Sequence, residues 1–359
     1  MTKVKFFSII LCVLMINLFA CSDSEEKNEE KPNITKEIST ISIMTHDSFS
    51  VSKELVAKFE EKFDAKIVIL KSGDAGEALN KAILSKNNPL ADIFYGVDNT
   101  FLSRALKADM FVPYAPVHLD SVDNALKLDP KNTLIPVDFG DVCLNYDIEW
   151  FKKNNKIPPA MLEDLIKPEY KGLTVVENPA TSSPGLAFLL ATISRFGQDG
   201  YIEYWQKLKA NDVLITNGWK EAYWGKFTAA SKGNRPVVVS YASSPAAEVF
   251  YSETKLDKAP TGVVIANGSA FRQIEFAGVL KGTKNMKLAK KTMDFILSKD
   301  FQEDIPLQMF VFPASREAAL PEVFKNHAQI TKEPAFLDSD LINSKRDAWI
   351  RHWTEKILQ

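Results

Sequence analysis

The chain has 359 residues, 44 of them basic and 46 acidic, for a net charge of −2 at pH 7 with histidine neutral. With 45% apolar residues it can bury a large core and is long enough for two domains. The near-neutral balance, with no basic cluster, argues against nucleic acid as a partner.

At the N-terminus Lys3 and Lys5 precede an apolar run from Phe6 to Phe19, and Ala20 leads into Cys21, which is the layout of a signal peptide over residues 1–20. The run is shorter than the roughly 20 residues that span a bilayer. Leu18-Phe19-Ala20-Cys21 resembles the lipobox of bacterial lipoproteins, in which the cysteine carries lipid as the first residue of the mature chain. Phe19 departs from the usual small occupant, and ordinary cleavage near Ala20 is the alternative. Residues 21–38 follow as a tether with almost no apolar side chain, hence a solvated linker. Removal of residues 1–20 takes away two lysines, leaving 42 basic and 46 acidic residues and a net charge of −4. Cys12 leaves with them, so Cys143 has no partner for an intramolecular disulfide and reads as a buried core thiol.

From Ile41 short apolar runs alternate with amphipathic segments: ISIMTH, VSKELVAKFEEKF, KIVILK, AGEALNKAILSK and ADIFYGVD predict strand, helix, strand, helix, strand. Leu55, Phe59 and Phe63 at four-residue spacing give the first helix its apolar face, as Leu79 and Ile83 do the second. A second set begins near Val142 and takes in LTVVEN, a helix from Pro184, PVVVSYASS and a helix from Pro245. This alternation predicts two α/β lobes with mainly parallel sheet and a cleft between them. Ligands of such sheets sit at the carboxyl ends of strands, which points to the loops after His46, Leu70, Val97, Val176 and Ser240.

Thr181-Ser182-Ser183-Pro184-Gly185 precedes the apolar LAFLLATISRF, with Ser183 placed as N-cap and Pro184 as the first helical residue. Free N–H groups and the helix dipole there suit a phosphate, although a cap alone would explain the motif. Ser243-Ser244-Pro245 repeats the arrangement. Trp219, in a glycine-marked loop after the strand-like DVLIT and before a helical EAYWGKF, is placed either to stack on a planar ring or to fill core. Asp74 follows a strand and opens a helix, where an N-cap is the simplest role. Asp47, Asp98 and Asp138 also stand at strand ends, and with few basic neighbours these acids would favour a cation. No HExxH, G-x-S-x-G or cysteine pair occurs, and His46, His118, His327 and His352 are scattered, so no metal, cofactor or catalytic residue is expected.

Seven blocks occur in order: THDSF (45–49), GVDN (96–99), PVDFG (136–140), NPATSSPG (178–185), GWKEAY (218–223), SYASSPA (240–246) and RDAWIRHW (346–353). In these blocks the chain, from about Ile41 to Trp353, resembles the substrate-binding proteins of thiamine ABC importers, relatives of iron(III) and putrescine binding proteins. The resemblance implies a two-lobed α/β periplasmic-binding-protein-like fold of type II, with the ligand cleft between lobes joined by a hinge. Residues 39–137 and 263–320 would form lobe 1, 138–262 lobe 2, and 321–359 a C-terminal helical segment packed on both. It also implies a monomeric binder, not an enzyme, that holds thiamine or a thiamine phosphate, meets an importer permease, and touches the membrane only through lipid on Cys21.

In that family aromatic rings sandwich the pyrimidine and thiazolium, an aspartate contacts the pyrimidine, and a serine-rich helix start receives the phosphate. The matching positions are Asp74 for the carboxylate, Trp219 and Tyr241 for the rings, and Ser182 with Thr181, Ser183 and Gly185 in the phosphate-side loop. Phe310, in QMFVFP, matches an aromatic near the cleft. His46 stands where the family has tyrosine and Ala247 where another is expected, so Tyr223, Trp224 or Tyr251 are candidates to replace the missing faces. A ferric-iron binder ranks second, since a hard cation wants several anionic oxygens and the strand after Val239 offers only Tyr241. A polyamine binder ranks third, and a serine hydrolase using Ser182 or Ser183 ranks last for want of a nearby base.

Overall fold

The computed structural model describes residues 38–266 and 268–359; the signal segment, Cys21 and the tether through residue 37 lie outside the described residues. The first strand, β1 (Ser39–Thr45), runs parallel to β2 (Ala65–Lys71) and to β3 (Ile93–Asp98), with α1 (Lys53–Phe63) and α2 (Ala75–Leu84) as the connections. Leu55 and Phe59 of α1 are buried while Lys53, Glu54, Lys58, Glu61 and Lys62 are exposed, one apolar stripe laid on the sheet. Ser52 caps that helix by accepting the Leu55 N–H at 3.2 Å. A short helix α3 (Leu102–Lys107) and strand β4 (Phe111–Val112) lead to β5 (Ile135–Asp147), the longest strand, followed by α4 (Ile148–Lys153).

The chain then forms β6 (Thr174–Glu177), α5 (Ser183–Ala210), β7 (Leu214–Thr216), the single turn α6 (Trp219–Glu221), β8 (Val237–Tyr241), α7 (Ser244–Tyr251) and β9 (Thr261–Val264). It returns through β10 (Phe271–Leu280), α8 (Met286–Ile296), α9 (Lys299–Gln308) and β11 (Phe312–Pro313), and ends in α10 (Glu322–His327) and α11 (Ser339–Trp353). The sheet order is β2-β1-β3-β10-β5-β8-β6-β7, with β4, β9 and β11 pairing at its margins.

The outer strands pair in parallel, whereas β10 is antiparallel to β3 and to β5, and β5 to β8. The antiparallel middle departs from the mainly parallel sheet expected from sequence, because β10 joins partners that lie far back along the chain and no local alternation reveals such a pairing. Register slips after Glu275 against β5 and after Phe276 against β3, with Val137 of β5 and Gly96 of β3 as the extra residues, so both partners of β10 are bulged at the centre of the sheet.

Helix α5 is buried on all sides over Leu186–Ile193 and changes direction at Gly197, whose φ of 76° is left-handed. It begins one residue before the position expected, with Ser182 rather than Ser183 at the N-cap. Its Trp205 meets Trp353 of α11 edge to face at 5.2 Å. Arg346 of α11, 3% exposed, donates to the Thr100 carbonyl at 3.0 Å and lies over the Phe101 ring. The C-terminal helix therefore packs on α5 and on the turn after β3. Cys143, in β5, is fully buried and unpaired, and burial pushes its thiol pKa up. Among the described residues no helix is long and apolar enough to cross a membrane.

Candidate ligand-binding cleft

The residues after β1, before α2 and at the end of β8 converge; they follow the carboxyl ends of β1, β2 and β8, each paired in parallel with a neighbour, where ligands of open α/β sheets sit. They surround a cavity of about 180 Å³. That is room for about a dozen waters if each needs roughly 15 Å³. Of the residues singled out from sequence, His46, Asp74, Ser183, Trp219, Tyr241 and Phe310 line it. Thr181, Ser182 and Gly185 do not: Thr181 donates to the Asn217 carbonyl at 2.6 Å, Ser182 is wholly buried, and Gly185 packs on the backbone of Glu177.

Asp74 stands at the N-cap of α2. Its Oδ1 accepts the Ala75 N–H at 2.7 Å, and its Oδ2 accepts the backbone N–H of Trp219 at 3.0 Å. The cap role read from sequence is thus present, and the second oxygen ties the start of α2 to the far side of the cleft. Burial pushes the Asp74 carboxyl pKa up, against the two N–H groups and the charge of His46. Ser182 lies near enough to favour the Asp74 charge, yet its hydroxyl completes no hydrogen bond.

The Trp219 ring is fixed from two directions. Its indole N–H donates to Ser240 Oγ at 2.8 Å, and its face stacks on Tyr223 with ring centres 5.0 Å apart and planes 19° from parallel. Tyr223 is buried and donates its hydroxyl to Glu248, whose pKa burial raises to about 7. The stretch read as a helix from EAYWGKF is one α-turn followed by a wider turn over Ala222–Lys226, which carries Tyr223 inward and leaves Trp224 at the surface. Trp224 and Tyr251 also line the cleft, and so does Ala247. All three replacement rings considered from sequence therefore reach the cavity.

Phe310 has a left-handed backbone, φ 55°, which is uncommon outside glycine. Its carbonyl accepts the Ser243 hydroxyl, and its ring lies 5.2 Å from Tyr251 and 5.7 Å from Phe250. Ser183 and Pro184 of α5 and Ser244 of α7 also reach the cavity, so two helix starts meet there. The Ser183 hydroxyl is already given to Asp98.

The charge pattern differs from the acid-rich cleft expected. Asp98 and Asp138 lie fully buried rather than in the lining, and burial raises the pKa of Asp98 to about 7 and that of Asp138 well above its usual range. The lining carries Asp74 and Glu275 against His46 and Lys220. Burial works against a charge on His46, but Glu275, 3.3 Å from its Nε2, outweighs that with help from Asp74 and Asp138 and lifts the pKa to about 9. His46 can lie this deep because Gly96 has no side chain: a Cβ there would stand 2.5 Å from the imidazole. Glu275 was not singled out from sequence. A charged residue between Ile274 and Phe276 in an apolar strand was the available signal.

Among the described residues no group of three or more His, Cys, Asp or Glu side chains is arranged to hold a metal ion. Residues 88–345 match the family described as bacterial extracellular solute-binding protein. The thiamine-binding periplasmic protein of Salmonella typhimurium is 29% identical over 326 residues, 88% of this chain and 93% of that protein. That of Brucella melitensis is 30% identical over 351 residues, 96% and 98% of the two chains. A solved periplasmic thiamin binding protein superimposes with a TM-score of 0.78 at 27% identity, covering 89% of this chain and 96% of that one. The ferric binding protein from Campylobacter jejuni shares the fold, with a TM-score of 0.71 at 20% identity over 88% and 99% of the chains. The resemblance read from the seven sequence blocks, and with it the periplasmic-binding-protein fold, is borne out.

Proposed function

Because this chain belongs to the bacterial extracellular solute-binding protein family, we propose that it binds thiamine or a thiamine phosphate in the cleft and delivers it to the permease of an ABC importer. The observation that carries this reading is the contact between Asp74 and Trp219, which sets a carboxylate beside an indole already backed by Tyr223. Thiamine offers a flat cationic ring and an aminopyrimidine, for which aromatic faces and a hydrogen-bond-accepting carboxylate are the natural partners. A ring face over the cation contributes roughly 0.5–2 kcal/mol, so the faces supplied by Trp219, Tyr241 and Phe310 matter more than net charge, which is balanced in the lining. The two helix starts, with Lys220 nearby, support a phosphate on the ligand.

In this reading residues 39–137 with 263–320 and residues 138–262 are the two lobes, β5 and β10 are the hinge, and Asp74 and Trp219 meet when the cleft closes. The protein works as a monomeric binder outside the cytoplasm, held by lipid on Cys21, and Cys21→Ser should release it into the soluble fraction; retention on the membrane would exclude the anchor. Native mass spectrometry of protein purified without added ligand, followed by calorimetric titration with thiamine, tests the ligand. A thiamine-sized mass offset and saturable heat are expected. An iron or polyamine offset with no thiamine heat would overturn the assignment.

A further inference from the structure

Strand β10 brings two polar side chains, Gln273 and Glu275, to the floor of the cleft, where they are 2% and 8% exposed. Two residues apart on one strand, they face the same side of the sheet. Gln273 Nε2 donates to Glu275 Oε1 at 3.2 Å, and Gln273 Oε1 accepts the Tyr241 hydroxyl at 3.2 Å. Glu275 Oε2 lies 3.3 Å from His46 Nε2. A line of hydrogen bonds thus crosses the floor from the end of β1 to the end of β8, with both of its middle members on the strand that joins the two sides of the sheet. Its directions are fixed: Glu275 only accepts, so both His46 Nε2 and the Gln273 amide must donate, and Tyr241 must donate to the remaining Gln273 oxygen.

We propose that Glu275 is a positioning residue for the ligand, holding His46 as a donor at one end of the floor and, through Gln273, fixing the Tyr241 ring that faces the ligand at the other. This rests on the cleft being the thiamine site. A glutamine at 275 would offer one acceptor to two donors, so whichever way its amide turned, one link would break or His46 would have to release its Nε2 proton. The groups that face His46 are Glu275 from β10, Asp138 from β5 and Asp74 from α2, with Lys220 across the lining; Tyr95 of β3 donates to Asp138 at 2.5 Å. Without the Glu275 charge, burial is the leading influence on His46 and acts to remove its proton.

The test is thiamine calorimetry from pH 6 to 9 together with NMR titration of His46, on the parent, Glu275→Gln and Gln273→Met. In the parent His46 should titrate near pH 9 and so add no pH dependence to the affinity from pH 6 to 8, whatever Asp98 and Glu248 contribute there being common to the parent and both variants. Glu275→Gln should bring the His46 titration below pH 7, weaken thiamine roughly tenfold at pH 7.5 and add a pH dependence between 6 and 8 that the parent and Gln273→Met lack. Gln273→Met should also weaken thiamine roughly tenfold while leaving the His46 titration near that of the parent, because it cuts only the Tyr241 side. Parental affinity in both variants, or lost affinity in Glu275→Gln with His46 titrating as before, would overturn the role of Glu275. A parent that binds no thiamine would instead overturn the ligand assignment, and this role with it.

Discussion

Replacing Gly218 by alanine probes the Asp74–Trp219 contact without altering either residue. A Cβ at 218 would stand 2.7 Å from Asp74 Oδ2 and 3.4 Å from the Asp74 Cβ. Asp74 is a short side chain whose other oxygen already holds the Ala75 N–H, so it cannot turn away without loosening the cap of α2. The backbone at 218 is extended, φ −163°, which alanine adopts freely, so the added methyl brings no strain of its own. What is lost is a hydrogen bond to a carboxylate, on the order of 1.5–3 kcal/mol. If that bond forms when the cleft closes on ligand, thiamine affinity should fall about 10- to 150-fold. Calorimetry reads the affinity, and the unfolding midpoint of ligand-free protein is the control. The midpoint should move by no more than a few degrees, because an open cleft relieves the methyl and Gly→Ala restricts the unfolded chain by only about 0.4–1 kcal/mol. Parental affinity in Gly218→Ala would show that this contact has no part in the bound form.

Trp219→Ala should weaken thiamine by about 1–3 kcal/mol, the range for a stacked aromatic contact, and remove most of the ligand-induced fluorescence quench; an undiminished quench would assign the signal to Trp224 instead. Lys220→Met removes the lysine that lines the cavity together with the two helix starts, so thiamine phosphates should lose more affinity than thiamine; equal losses would exclude a phosphate role for that ammonium. Glu248→Gln tests the support of Tyr223: the folded state keeps the Glu248 proton to about pH 7, against 4.5 for the ordinary group, so its contribution to stability falls as pH rises between those values. The unfolding midpoint of the variant should therefore gain on the parent from pH 4.5 to 7, and parallel profiles would refute the assignment.

The elements of the first half were legible because each is local. Leu55 and Phe59 announce α1 by spacing alone, and the buried runs of β1 and β3 lie between turn residues. The cleft was legible where a strand end and a helix start are adjacent in sequence, as at His46 and Asp74. It was less so where one residue of shift decides which hydroxyl reaches the cavity: in Thr181–Gly185 it is Ser183 that lines it, while Ser182 caps the helix out of view. Glu275 escaped because His46, at the end of β1, and Asp138, on β5, are brought to β10 only by the tertiary pairing. The charge balance escaped for the same reason, since sequence gives the number of aspartates at strand ends but not which of them sink beneath the floor.

The place of β10 between β3 and β5 also bears on how the molecule is made. Until residue 280 is available, β3 carries an open edge on the side where Asp98 later pairs with Glu275, and β5 lacks the same neighbour. Native pairing across the middle of the sheet joins residues far apart in the chain, and such long-range closure slows folding. A segment ending before β10 therefore has no completed sheet, and the middle of the molecule can close only once the chain through Leu280 is present.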